Sequence, residues 1–150
     1  MLSPSLERYL LEIYKKSMTQ EEIKIGELSK TLNAPLKKTI QALQRLHFQK
    51  FLVYSAYQPI MITEKGIAMA KYLQSKDLIL EEFLEILLFP KECNEERETM
   101  QQYFSEEAIE CFERFVIFIK QYPEITNRYK VFSKRKLKTR LLEPKPEEQV

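Results

Sequence analysis

The amino-acid sequence predicts a mainly α-helical fold that includes one small β-hairpin. Apolar residues recur at helical spacing over most of the 150 residues, and only 2 glycines are present, so the chain offers few sharp turns. Two short β-rich runs, at residues 51–54 and 60–62, are joined by a segment that ends in Pro59. A hydrophobic content of 44% is typical of globular proteins. We therefore expect helices packed around a core, with a single hairpin between them.

The N-terminal part of the chain predicts three helices and a very short strand. Ser3 is a good N-cap and Pro4 suits the first helical position, so a helix should run from there to about residue 16. Alternation at 23–25 indicates a short strand. A helix at 26–32, a turn at Ala34-Pro35 and a second helix at 35–48 should follow.

The part after the hairpin predicts a series of helices. Thr63 should cap one long helix that ends near residue 88, before Pro90. Ser105 should cap a strongly apolar helix. The full set is the long helix, a short helix at 94–103, the apolar helix to residue 122, a weak basic helix or tail at 126–142, and a disordered end at 143–148.

The order of elements between residues 23 and 62 is the layout of a winged helix-turn-helix, in which the second helix enters the DNA major groove. Lysine can contact phosphate or guanine, and glutamine can pair with adenine. An ordinary solvated helix face remains an alternative interpretation. The candidate DNA-binding residues are Lys37, Lys38, Thr39, Gln41, Gln44 and Arg45 on the helix and Tyr57 at the hairpin tip.

Charge is distributed unevenly, although the net charge is only +2. Residues 1–72 hold 11 Lys and Arg against 6 Asp and Glu, residues 73–127 hold 5 against 13, and residues 128–150 hold 8 against 3. The basic segment 1–72 suits a polyanion, and the acidic segment 73–127 should face away from that polyanion. The basic segment 128–150 could contact either DNA phosphates or the acidic segment of its own or a partner chain.

Several short motifs, in their order and spacing, resemble the diphtheria-toxin-repressor family, and in particular its manganese-transport regulators. The resemblance implies a winged helix-turn-helix domain at 1–72, an α-helical dimerisation domain at 73–125 and, beyond it, a basic tail at 126–150. It also implies a homodimer that binds a palindromic operator in double-stranded DNA. The motifs are Ser3-Pro4-Ser5-Leu6-Glu7, Ile25-Gly26-Glu27-Leu28-Ser29, Gln44-Arg45-Leu46, Ile62-Thr63-Glu64-Lys65-Gly66, Leu80-Glu81-Glu82-Phe83-Leu84 and Ser105-Glu106-Glu107-Ala108-Ile109.

Family members are activated by manganese or ferrous iron, and of the six positions that match their ligands only Asp77 and Glu98 still hold a plausible ligand here. Hard divalent ions need several anionic or imidazole ligands, and arginine cannot serve as one. We therefore predict no metal cofactor and hypothesise that Arg8 takes the ion's place between Asp77 and Glu98. Solvated remnants of a lost site, or a non-standard Mn or Fe(II) site, remain alternatives. The six matching positions hold Arg8, Leu11, Asp77, Glu98, Gln101 and Gln102, and the non-standard site would use Asp77, Glu81, Glu98 and Cys93.

The apolar helix near the C-terminus predicts a subunit interface, because it carries more Phe and Ile than one helical face needs. The chain offers no catalytic set, no Gly-rich phosphate loop and no apolar run long enough for a membrane span, so we expect a cytoplasmic DNA-binding transcriptional regulator that is not an enzyme. A winged-helix protein-interaction module that no longer reads DNA remains the alternative. The predicted interface residues are Ile109, Phe112, Phe115, Val116 and Ile119.

Overall fold

A computed structural model describes residues 2–19 and 21–140 of the chain. Within these residues it contains seven helices and one antiparallel two-stranded hairpin, which confirms the predicted mainly helical fold. The elements, in chain order, are α1 (Pro4–Met18), α2 (Ile25–Thr31), α3 (Leu36–Phe48), β1 (Leu52–Val53), β2 (Met61–Ile62), α4 (Glu64–Ile86), α5 (Asn94–Tyr103), α6 (Glu106–Gln121) and α7 (Pro123–Ser133).

The predicted helix starts follow from local capping chemistry. The hydroxyl of Ser3 accepts a hydrogen bond from the Leu6 N–H at 3.3 Å, and the hydroxyl of Thr63 accepts one from the Gly66 N–H at 3.1 Å. Ser105 caps α6 in the same way, by accepting from the Ala108 N–H at 3.2 Å. Each of these bonds satisfies a backbone donor that has no partner inside the helix.

One local prediction was wrong. Residues 23–25 do not form a strand, because Ile25 already begins α2 and the only β pairing in the described ranges joins β1 to β2. The apolar helix α6 ends at Gln121, before Pro123, and Pro123 occupies the first position of α7, where its missing N–H costs nothing. The predicted disordered end at 143–148 lies outside the described residues.

One core cluster holds the N-terminal elements together. Its centre is fully buried and comes from α1, α2, α3 and β1, so the helix-turn-helix and the hairpin rest on α1. Burial of such side chains contributes roughly 1.5–3 kcal/mol each relative to exposure. The largest fully buried side chains of this cluster are Leu10, Ile13, Leu28, Leu43, Leu46 and Leu52.

The second half packs α6 along α4. Phe83 of α4 stacks on Phe112 of α6, with ring centroids 4.3 Å apart. The Tyr72 hydroxyl donates to the Glu106 carboxylate at 2.6 Å, and this bond raises the pKa of Tyr72 to about 12. Lys120 forms an ion pair with Glu82 at 2.7 Å. Because α4 also contacts α1, this one helix connects both halves of the described chain, and the predicted domain boundary at residue 72 falls inside it.

No helix in the described ranges is long and apolar enough to cross a membrane.

Candidate functional site

Helix α3 presents a polar, basic surface to solvent. Its apolar stripe, Ala42, Leu43 and Leu46, is buried against the core cluster. The opposite side is exposed and carries five of the seven predicted DNA-binding residues. These are Lys37, Lys38, Gln41, Gln44 and Arg45.

The structure does not support the prediction that Thr39 contacts DNA. Its side chain is 0% exposed, and its hydroxyl lies 3.1 Å from the Tyr9 hydroxyl and 3.3 Å from the Pro35 carbonyl oxygen, to which it donates. A side chain held in this way cannot reach a base edge. Thr39 instead fixes the first turn of α3 to α1, because Tyr9 belongs to α1.

Two backbone N–H groups of the hairpin segment donate hydrogen bonds to the end of α3. The Phe51 N–H donates to the Leu46 carbonyl at 3.0 Å, and the Tyr54 N–H donates to Nδ1 of His47 at 3.1 Å. Tyr57 lies at the tip with a φ of 64° and a fully exposed side chain. An exposed aromatic at this point, next to Gln58 and Pro59, gives the wing a neutral tip.

A polar cleft of about 590 Å³ lies behind the helix-turn-helix, between α1, the end of α2, α4 and α5. All six positions that match family metal ligands line it, together with Glu7, Glu12, Glu81, Asn94 and Arg97. Burial raises the pKa of the Glu7 carboxyl above its ordinary value, against the opposing effect of the Lys76 ammonium. The cleft is therefore a partly desolvated site that collects charges of both signs.

The cation at the centre of this charge cluster is Arg97 of α5, not Arg8. Its Nη1 donates to Oδ2 of Asp77 at 3.1 Å and to Oε2 of Glu81 at 3.0 Å, and its Nη2 donates to Oδ1 of Asn94 at 2.5 Å. The hypothesised bridge from Arg8 to Asp77 and Glu98 is replaced by this arrangement. Glu98 is exposed at the rim, on the same helix as Arg97.

In this arrangement the cleft does not fit a resident metal ion. No three His, Cys, Asp or Glu side chains converge on one point anywhere in ranges 2–19 and 21–140. Asp77 and Glu81 are close enough to share one cation, but that cation is a guanidinium. A hard divalent ion needs more oxygen ligands than these two groups have free.

The predicted dimer-interface residues fall into two groups. Ile109, Val116 and Ile119 are buried within the chain, so they cannot contact a second subunit without unfolding this one. Phe112 stacks on Phe83 and is only half-buried, whereas Phe115 is exposed. The exposed apolar stripe of α6 runs instead through Phe115, Phe118 and Tyr122, at spacing i, i+3 and i+7.

Residues 63–130 match the family model described as "Iron dependent repressor, metal binding and dimerisation domain". The chain is also 25% identical over 141 residues to the HTH-type transcriptional regulator MntR of Listeria monocytogenes serotype 4b (strain CLIP80459), covering 93% of this chain and 99% of that protein. MntR of Bacillus pumilus is 24% identical over 140 residues, covering 93% and 97%. These comparisons confirm the resemblance to the diphtheria-toxin-repressor and manganese-transport-regulator family that the motifs indicated.

Two solved structures share the fold of this chain. The manganese regulator SloR aligns with a TM-score of 0.68 and 23% identity over 78% of this chain, and ScaR with bound Zn²⁺ aligns with a TM-score of 0.65 and 19% identity over 75%. The chain spans about half of their length, 55% and 54% respectively. The alignment confirms the mainly helical winged-helix fold followed by a dimerisation domain.

The prediction that no metal cofactor is used was wrong. The matched domain is described as metal binding, and the structural neighbour SloR is named as a manganese regulator, so the comparisons indicate metal involvement rather than none. The MntR relatives are transcriptional regulators, and no enzyme family is indicated.

Arg97 is the residue that sequence reasoning missed. Asp77 and Glu81 are four residues apart and therefore share one face of α4, which is a signal for a shared cation. Arg8 and Arg97 were both available to supply it. Only the packing of α5 against α4 selects Arg97.

Proposed function

We propose that this protein is a homodimeric DNA-binding transcriptional regulator whose DNA affinity responds to Mn or Fe(II) through ligands that differ from the usual set of its family. The observation that carries the proposal is full-length similarity to MntR, together with an exposed basic helix in a winged helix-turn-helix. The candidate ligands are Asp77, Glu81 and Glu98, which line one cleft. They do not converge on one point among the described residues, so the proposed binding requires these side chains to rearrange.

DNA binding is assigned to α3. Lys37 and Lys38 supply charge for phosphates, and Gln41 and Gln44, one and two turns further on, offer amides to base edges. Arg45 lies beside them. Thr39 takes no part in this contact, and Tyr57 contributes an aromatic surface from the wing tip.

A connection between cleft and recognition helix runs through α1. One face of α1 lines the cleft with Glu7, Arg8 and Leu11. The adjacent Tyr9 meets Thr39 in the first turn of α3. Thr39 and Tyr9 are both buried, so they are packed tightly against each other. If a change in the cleft moves α1, the start of the recognition helix α3 has to move with it.

The dimer contact is assigned to the exposed stripe of α6, and Phe118 tests it. Phe118 is 45% exposed, and Ile117, which lies about 100° around the helix from it and off the Phe115–Phe118–Tyr122 stripe, is 49% exposed. Phe118→Glu is expected to convert a dimer into a monomer in sedimentation at micromolar concentration, because a buried unpaired carboxylate opposes association. Ile117→Glu adds the same charge and should leave the dimer intact. A Phe118→Glu protein that remains dimeric would contradict the assignment.

The proposed function as a whole is tested by gel shift. The probe is the DNA upstream of the protein's own gene, and a shuffled fragment of equal length is the control. We expect tighter binding to the first fragment, and a further gain when manganese is added to chelator-treated protein. Equal affinity for both fragments would favour the interaction-module alternative. A fragment-specific shift that ignores manganese and ferrous iron would contradict the metal response alone.

A further inference from the structure

A second depression, the basic groove, has a volume of about 460 Å³ and lies between the start of α1 and the exposed side of α3. It differs from the cleft in its charge, because its lining includes three cations and no carboxylate. Arg8 comes from α1, and Lys38 and Arg45 come from α3. All three residues are exposed, so an incoming anion can reach them. The basic groove therefore suits a negatively charged partner.

The cations of the basic groove form no ion pair with any acidic residue in the part of the chain that the structure describes. The ion pairs found there involve other lysines and arginines. Glu12, one turn after Arg8, is paired with Lys15 at 3.5 Å. Asp77 also lines the cleft that Arg8 borders, but it is paired with Arg97. The positive charge of the basic groove is therefore left for a partner outside the chain.

The position of Arg8 relative to α3 is set by the residue that follows it. Tyr9 follows Arg8 in α1. Thr39 follows Lys38 in α3, and its hydroxyl lies 3.1 Å from that of Tyr9. Both side chains are buried, so this contact sets the spacing of the two helices. Arg8 and Lys38 are thereby held at one groove, although they come from different helices.

The dimensions of DNA place phosphates beside a helix that enters its major groove. An α-helix with its side chains is about 10–12 Å across, and the major groove of DNA is about 12 Å wide. Helix α3 would therefore fill the space between the two DNA backbones. A cation on the neighbouring helix α1 would then face a phosphate at the edge of the major groove, and not a base.

We propose that Arg8 binds a phosphate of the DNA backbone and thereby positions α3 in the major groove. The inference rests on the DNA binding proposed above. A guanidinium suits this role, because it can donate two parallel N–H bonds to one phosphate. A phosphate contact fixes the orientation of a protein on the duplex but carries no sequence information. The contribution of Arg8 should therefore be equal for any DNA sequence.

The test is fluorescence anisotropy of the full chain with labelled DNA at several salt concentrations, with and without manganese. Arg8→Gln is expected to lose about 3- to 10-fold in affinity at low salt, because one phosphate contact is removed. The slope of log affinity against log salt should become shallower by about 1. Both changes should be equal for the DNA upstream of the protein's own gene and for a shuffled fragment. Arg8→Lys keeps the charge and should keep the wild-type slope.

Lys15→Gln is the matched control for Arg8→Gln. Lys15 lies on the same helix about two turns further on, and it lines the cleft but not the basic groove. The variant loses the same charge and should bind DNA with the wild-type slope.

Three results would overturn the role of Arg8 while leaving the DNA binding of α3 standing. The first is a wild-type slope in Arg8→Gln, and the second is an equal change of slope in Lys15→Gln. The third is a change in Arg8→Gln that occurs only with manganese or only with one fragment, because Arg8 would then not act through a phosphate alone. Failure of the wild-type protein to bind either fragment would overturn the role of Arg8 and the proposed function together.

Discussion

Gly66→Ala is expected to destabilise the protein by about 3 kcal/mol or more, because the new methyl group would clash with backbone and side-chain atoms. A Cβ at this position would lie 2.0 Å from the Phe51 carbonyl oxygen and 2.8 Å from Cγ1 of Ile62. The Phe51 oxygen also accepts from the Thr63 N–H at 3.1 Å, so moving it breaks the bond that joins the hairpin to the start of α4. Urea denaturation should show the loss, and thermal unfolding should fall by roughly 6–12 °C.

Gly26→Ala is the matched control for Gly66→Ala. An added Cβ at Gly26 meets nothing within 4 Å, and Gly26 lies in the first turn of α2. Alanine there should leave stability unchanged or raise it by up to about 1 kcal/mol, because it lowers the entropy of the unfolded chain. Similar behaviour of the two variants would contradict the close contact between Gly66 and Phe51.

The double variant Lys37→Ala/Lys38→Ala is expected to lose about 10- to 100-fold in affinity for DNA at low salt, since the two proposed phosphate contacts are removed. The slope of log affinity against log salt should become shallower by up to about 2. Folding should be unaffected, because both side chains are exposed. Fluorescence anisotropy at several salt concentrations measures both quantities.

Lys71→Ala/Lys91→Ala is the control for the charge itself. Both lysines are exposed and lie outside the helix-turn-helix, and the net charge changes by the same amount. This variant should bind DNA with the wild-type salt slope. An equal loss of affinity in the two double variants would mean that overall charge, rather than α3, carries the binding.

The helices and the hairpin could be predicted from local sequence rules. The errors arose at residues whose environment depends on distant parts of the chain. The predicted helix at 94–103 is α5, and Ser3, Thr63 and Ser105 cap helices as expected. Capping involves neighbours three residues away, so the sequence contains all the information required. The tight contact of Gly66 depends on Phe51, fifteen residues earlier in the chain, and helix position alone gave no sign of it.

The errors at the candidate site have a related cause. Thr39 precedes Ala42 and Leu43 by three and four residues, so it shares the buried stripe of α3, and helical spacing already contained that signal. Ile109, Val116 and Ile119 also share one stripe of α6. This stripe packs against α4 within the chain and is therefore not exposed for a subunit interface. Arg97 could not be chosen over Arg8 from spacing, because the two arginines approach the cleft from different helices.

Because α4 runs without interruption, it fixes the direction in which the cleft carboxylates point relative to the wing. This helix is capped at Thr63, beside the wing, and carries Asp77 and Glu81 about four and five turns later. Each residue advances a helix by about 100° and 1.5 Å. One residue inserted between Gly66 and Asp77 would therefore turn the carboxylates about 100° away from the cleft, whereas seven would nearly restore their direction at about 10 Å further along the axis. This part of α4 therefore acts as a spacer of fixed length. A loop could accommodate an inserted residue, but an insertion in this helix would change the position of the cleft relative to α3 and the wing.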